Sequence, residues 1–138
     1  MVVRTLPRPR NDGCGVPLLM GHFWILPVGA AHEYRVYDVA DPRHPRQVSA
    51  LAVDTTYHPH WMARETGSER VVLTSDENDH RVLLARFDSV QGVLSLDATF
   101  RDPGATRPGV DFARRSWPHG DFGPAMPHGA IFSARPEP

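Results

Sequence analysis

Three histidines in this sequence follow a proline: Pro59-His60-Trp61, Pro118-His119-Gly120 and Pro127-His128-Gly129. Proline fixes its own φ and restrains the residue before it, so each imidazole is presented from a stiff turn. A glycine after the histidine lets the backbone pass close to a ligand. Neutral imidazole suits copper, zinc, iron and nickel, and three or four that converge make a metal site with an open position. His60, His119 and His128 are therefore candidate metal ligands, with His32, at the start of a predicted strand, as a fourth. His58 lies two residues from His60 and shares its face if the segment is extended, although Pro59 between them disturbs that geometry. Taken singly, each motif also reads as an ordinary turn whose histidine caps backbone groups; the weight lies in the three together. His22, His44 and His80 read as loop or strand-surface residues.

Other chemistries are excluded or weakly marked. Cys14 is the single cysteine, which rules out an intramolecular disulfide or a cysteine-cluster metal site. It reads as a small buried or loop thiol in preference to a reactive one or a copper ligand. All basic residues are arginine, so there is no lysine for a Schiff base or a phosphate-binding loop. No Gly-x-Ser-x-Gly elbow supports a serine nucleophile. The acidic run Ser75-Asp76-Glu77-Asn78-Asp79 lacks the glycine and terminal glutamate of a calcium loop and reads as a solvated hairpin loop.

The elements that must position these histidines are short and β-like. From Val16 onward the runs VPLLMG, HFWILPV, YRVYDVA, RQVSALAV, HWMARE, RVVLTSDE, RVLLARFD and VLSLDATF alternate with turn residues. Fourteen prolines and eleven glycines are spread along the chain as punctuation, and no stretch carries a helical period. The turns opened by Asp41 and Asp88 stand 47 residues apart, each between two strands. Four short strands repeating at that interval are the period of a propeller blade. The expectation is an all-β chain, a partial β-propeller of two four-stranded blades at 16–53 and 61–100. Residues 1–15 form an irregular lead-in with a short strand at Met1–Leu6, and a tail over 101–138 ends in a strand around Ala130–Ser133. Two blades cannot close a ring, so a fragment or a shortened gene product is expected, its open sheet edges covered by missing blades or by self-association.

The 138 residues suffice for one domain with a core, and 41% hydrophobic against 22% charged residues is a globular balance. A net charge of -1 gives no reason to expect nucleic acid or an anionic membrane as partner. No apolar run approaches the roughly 20 residues of a membrane span, and the start has no signal-peptide core. A cytoplasmic setting is expected, with a periplasmic one open for a longer form.

The runs GHFWILPVGAAHEYRVYDVADPRHPRQVS, HPHWMARETGSERVVLTS and FRDPGATRPGVDFARRSWPHGDFGPAMPHGAIF resemble the C-terminal part of the selenium-binding protein family, in its bacterial branch related to methanethiol oxidase. The resemblance covers Cys14 to Ser133. It implies the last third of a seven-bladed propeller and, for the methanethiol oxidases, a histidine-ligated copper that oxidises methanethiol with oxygen to formaldehyde, hydrogen sulfide and hydrogen peroxide. The histidines that match are His60, His119 and His128, with His32 after the Phe-Trp strand. The region bearing the family's selenium-linked cysteine is missing, and Cys14 lies in a different context, so selenium binding does not transfer. Two readings result: a copper oxidoreductase piece acting on a small thiol, with the chain alone not expected to be active, or a non-catalytic propeller fragment serving as a binding scaffold.

Overall fold

The computed structural model describes residues 15–76, 78–114 and 116–133. The expected strand at Met1–Leu6 and the thiol of Cys14 lie outside those residues. The described chain is all-β with antiparallel sheets, and one 3₁₀ turn at Gly29–Ala31 is its helix. Strands β1 (Leu18–Met20), β2 (Phe23–Val28), β3 (Glu33–Asp38) and β4 (Arg46–Ala52) form a four-stranded sheet in sequence order. Strands β5 (Pro59–Arg64), β6 (Arg70–Ser75), β7 (Arg81–Asp88) and β8 (Val93–Leu96) form a second one in the same order. A short β9 (Val110–Asp111) joins the second sheet through β7, and β10 (Ser116–Trp117) pairs with β11 (Gly120–Asp121).

The eight strands read from sequence are the eight strands of the two sheets, because turn formers divide the apolar runs and all but β1 (Leu-Leu-Met) carry β-branched or aromatic residues. Both aspartate turns have the same chemistry. The Asp41 carboxylate accepts from Arg43 N–H at 3.0 Å, and that of Asp88 from Val90 and Gln91 N–H at 2.8 and 2.9 Å. Each turn joins the third and fourth strands of its sheet. Gly92 ends the second turn at φ 68°, and a Cβ there would collide with Phe23 and Val48 of the first sheet. Ser49 donates its hydroxyl to the Gly92 carbonyl at 2.6 Å, fastening turn to sheet.

The core lies between the sheets. Met20, Phe23, Ile25, Tyr34 and Val36 of the first meet Met62, Val71, Leu73, Leu83, Ala85, Phe87 and Leu94 of the second, with Tyr57 from the connecting loop. The sheets lie side by side in one sense, β1 and β2 against β5, β3 and β4 against β8. Every residue from Val71 to Ser75 is buried, so β6 is covered on both faces. Its second face lies under the tail.

The expected strand at Ala130–Ser133 is not formed. Pro124 and Pro127 supply no N–H for a ladder, and Gly129 brings no side chain to pack. Side chains of the second sheet hold this segment by its carbonyls instead: Trp61 Nε1 donates to Ala130 O at 3.1 Å and Thr74 Oγ1 to His128 O at 3.0 Å.

Candidate functional site: a histidine and carboxylate cluster at β5

Strand β5 opens with a β-bulge. Pro59 pairs with Ser75 and Trp61 with Thr74, so His60 is the extra residue on the bulged strand. A bulge re-aims the side chain it carries, and it frees the backbone of that residue from the ladder. The freed His60 carbonyl accepts from Val16 N–H at 2.8 Å, so the chain entering the first sheet also restrains the second. The result is an imidazole directed inward, with only 6% of the residue exposed.

Asp76, just after β6, stands between two histidines. His58 Nδ1 donates to Asp76 Oδ1 at 2.5 Å, while His60 Nδ1 lies 3.3 Å from Oδ2. The second approach is too poorly aligned for a hydrogen bond, and His60 Nδ1 is buried without a hydrogen-bond partner. The His58 backbone is fixed as well: its N–H donates to Ser75 Oγ at 3.0 Å and its carbonyl accepts from Asp76 N–H at 3.4 Å. The other edge of the His58 ring lies on Gly29, where any Cβ would run into Cε1 and Nε2. His58 is therefore a buttress, closed on one side by a carboxylate and on the other by backbone.

His128 completes the cluster from the tail. Its ring centroid is 4.3 Å from that of His60, the planes inclined at 57°. Its position follows from the Thr74 and Trp61 bonds to the flanking carbonyls, and from Gly129, whose backbone lies against the Trp61 indole. The glycine after this histidine thus permits close approach to a tryptophan. Burial pushes the His60 pKa below its ordinary value; Asp76 opposes this, and the neighbouring His128 and His58 add to it. His60 is held as a neutral imidazole, the form that binds metal ions.

Of the four histidines singled out from sequence, the fold brings His60 and His128 together. His32 caps the 3₁₀ turn in the left-handed region, at φ 52° and ψ 43°, and its Nδ1 donates to Tyr57 O at 3.0 Å. It holds the loop that leads to His58. His119 is exposed at the β10–β11 turn and lines a separate apolar cleft of about 350 Å³ with Phe112, Trp117 and Phe122. None of those residues belongs to the His60 cluster.

Two residues that sequence reasoning set aside are part of the cluster. His58 was marked only by its two-residue spacing from His60, and Asp76 sat in what read as a solvated loop. That acidic loop does join β6 and β7, yet Asp76 is half-buried on His58 and Asp79 is buried against Arg81. Asp79 accepts from Arg81 and Thr56, and Arg81 also donates to Asp54 at 2.7 Å and to Pro108 O at 2.9 Å.

The donors in the cluster are imidazole nitrogen and carboxylate oxygen, a set that fits first-row transition metals, and the unpartnered His60 Nδ1 is an orphaned donor or acceptor at its centre. Among the described residues no group of three or more His, Cys, Asp or Glu is placed so that it could hold a metal ion. No family model, characterised protein or solved structure matches the chain.

Proposed function

We propose that the two sheets are successive blades of a propeller of the selenium-binding protein type, and that His60 and His128 anchor a copper ion used in oxidising a small thiol such as methanethiol. The propeller reading is supported by two four-stranded meanders of the same order, laid side by side in one sense, with matching aspartate turns 47 residues apart. The first strands, β1 and β5, then border the central channel, and His60 is on β5. The single observation that carries the metal reading is the buried, neutral His60 beside a second imidazole, its Nδ1 unpartnered.

Copper bound at this pair supplies redox chemistry and an affinity for thiolate sulfur. The chain's own residues supply the rest. His60 and His128 would hold the ion through imidazole nitrogen. Asp76 accepts from His58 Nδ1 and so holds the proton there, while its Oδ2, 3.3 Å from the unpartnered His60 Nδ1, faces the position a metal would take. The tail from Pro127 to Phe132 lies over the cluster and keeps bulk water from His60.

A second reading has its own support: the His58 ring, wedged between Asp76 and Gly29, performs packing alone, as in a non-catalytic scaffold. Metal content after copper loading and dialysis separates the two. Stoichiometric copper is expected in the wild-type chain and in His119→Ala, with a loss of at least about tenfold in affinity for His60→Ala or His128→Ala. Copper retained by both of those variants, or absent from a well-folded wild-type chain, overturns the metal reading.

A further inference from the structure

A carboxylate has two acceptor oxygens, so Asp76 has the capacity to serve both imidazoles that flank it. It serves one. His58 Nδ1 donates to Oδ1 at 2.5 Å, whereas Oδ2 lies 3.3 Å from His60 Nδ1 without the alignment of a hydrogen bond. That nitrogen is buried with no partner. A buried ring nitrogen beside a carboxylate ordinarily takes the bond, because leaving a polar atom unpaired costs more than the bond itself is worth. Something therefore holds the carboxylate off His60.

The restraint is His58. Its main chain is tied to the residues at and before Asp76: its N–H donates to Ser75 Oγ at 3.0 Å, and its carbonyl accepts from Asp76 N–H at 3.4 Å. Its ring has no room to retreat, since Gly29 backs it so closely that any Cβ there would overlap the imidazole. Ring and carboxylate are largely buried and fixed as a unit. Turning Oδ2 into line with His60 breaks the short bond from Oδ1, which is made to a ring that cannot follow.

We infer that His58 is a positioning residue: by engaging Asp76 it withholds the carboxylate from His60 and keeps His60 Nδ1 open to an incoming ligand. The inference rests on the metal reading only for the identity of that ligand. A carboxylate behind a histidine decides which ring nitrogen is available. Here the control is exerted one residue further out, by a second histidine that occupies the carboxylate. The imidazole left unpaired is the one that stands against His128. Without His58, Asp76 turns to His60 Nδ1 and occupies the atom.

Long-range proton–nitrogen correlation spectra of the metal-free full chain at about pH 8, where ordinary imidazoles are neutral, test this by reading the proton on each ring nitrogen. In the wild type a hydrogen-bonded Nδ1 proton is expected on His58 and not on His60. His58→Leu fills much of the same space without a donor, and His58→Ala is a second such variant should the first fold poorly by far-UV circular dichroism. In both, the bonded Nδ1 proton appears on His60. His58→Asn restores a donor, because Asn Nδ2 stands where His Nδ1 does, and returns His60 to its wild-type signal. If the ring served packing alone, Leu would be the silent replacement and Asn the disruptive one. Copper affinity, measured by competition, is expected to fall at least about tenfold in His58→Leu and to stay near the wild type in His58→Asn. A wild type that takes up no copper sinks the metal reading alone. A bonded His60 Nδ1 proton already present in the wild type, or absent from both His58→Leu and His58→Ala, overturns the role given to His58.

Discussion

His60 occupies a position where an imidazole is at home only when uncharged. Its pKa is lowered in the folded chain by burial, so the unfolded chain takes up the proton first as pH falls. The metal-free protein should therefore lose stability as pH drops from about 6.5 to the folded pKa of His60, and level off for this group below it. Urea unfolding at about pH 7.5 and about pH 5 measures the loss, and His60→Gln should reduce it. An equal loss in the variant would show that His60 is not the group responsible. The sequence pointed to this histidine by its proline, but not to its partners. Asp76 is 18 residues from His58, and only the register of β5 on β6, with its bulge at His60, decides that both imidazoles face one carboxylate. His119 has the same Pro-His-Gly motif as His128 and lands elsewhere, because a local motif sets how a ring leaves the backbone and not which wall it meets.

At the scale of elements, strands were the legible part. Short apolar runs, most of them rich in β-branched and aromatic residues, between turn formers locate β1 to β8 to within a few residues, and the short connections order them into two meanders. The tail was not legible, since its interactions are side chain to carbonyl across long separations and leave no periodic trace. The loops are stapled in the same non-periodic way. Arg81 is buried yet stays charged, because the Asp79 and Asp54 carboxylates outweigh the burial that disfavours its charge. Burial likewise opposes the charge of Asp79, but Arg81 holds its pKa below the ordinary carboxylate value. Arg81→Met removes the cation bonded to buried Asp79 and leaves it Thr56, the backbone N–H of residue 81 and the half-exposed Arg107 at 3.7 Å, so it should cost about 2 kcal/mol or more in urea unfolding. A second replacement, Asp79→Asn, should recover part of that loss. If Arg81→Met costs under about 1 kcal/mol, the network is a surface pairing and not a staple.

For the molecule as a whole, a single core spans the two sheets, with Phe23 meeting Phe87 edge-on at 5.5 Å and Gly92 wedged on Phe23. Neither sheet keeps a core of its own if the other leaves. Urea unfolding should therefore show one transition, the same by far-UV circular dichroism and by tryptophan fluorescence. Separate midpoints would mean that the sheets are independent units. This common core is also why the packing of one sheet on the other was not readable: the runs between turns give the strands of each sheet, while the match between facing surfaces depends on which side of each strand is turned inward.

The fastening of the tail has a consequence for when the His60 and His128 pair exists at all. His128 belongs to a stretch outside any ladder, held by side-chain bonds to its carbonyls, by the seat of Gly129 on Trp61 and by Arg70 over the Phe132 ring. Such a segment lifts off at far lower free energy than the sheets unfold. The pair is thus only half built into the sheet: opening of the tail would part the two imidazoles while the β5 bulge keeps His60 in place.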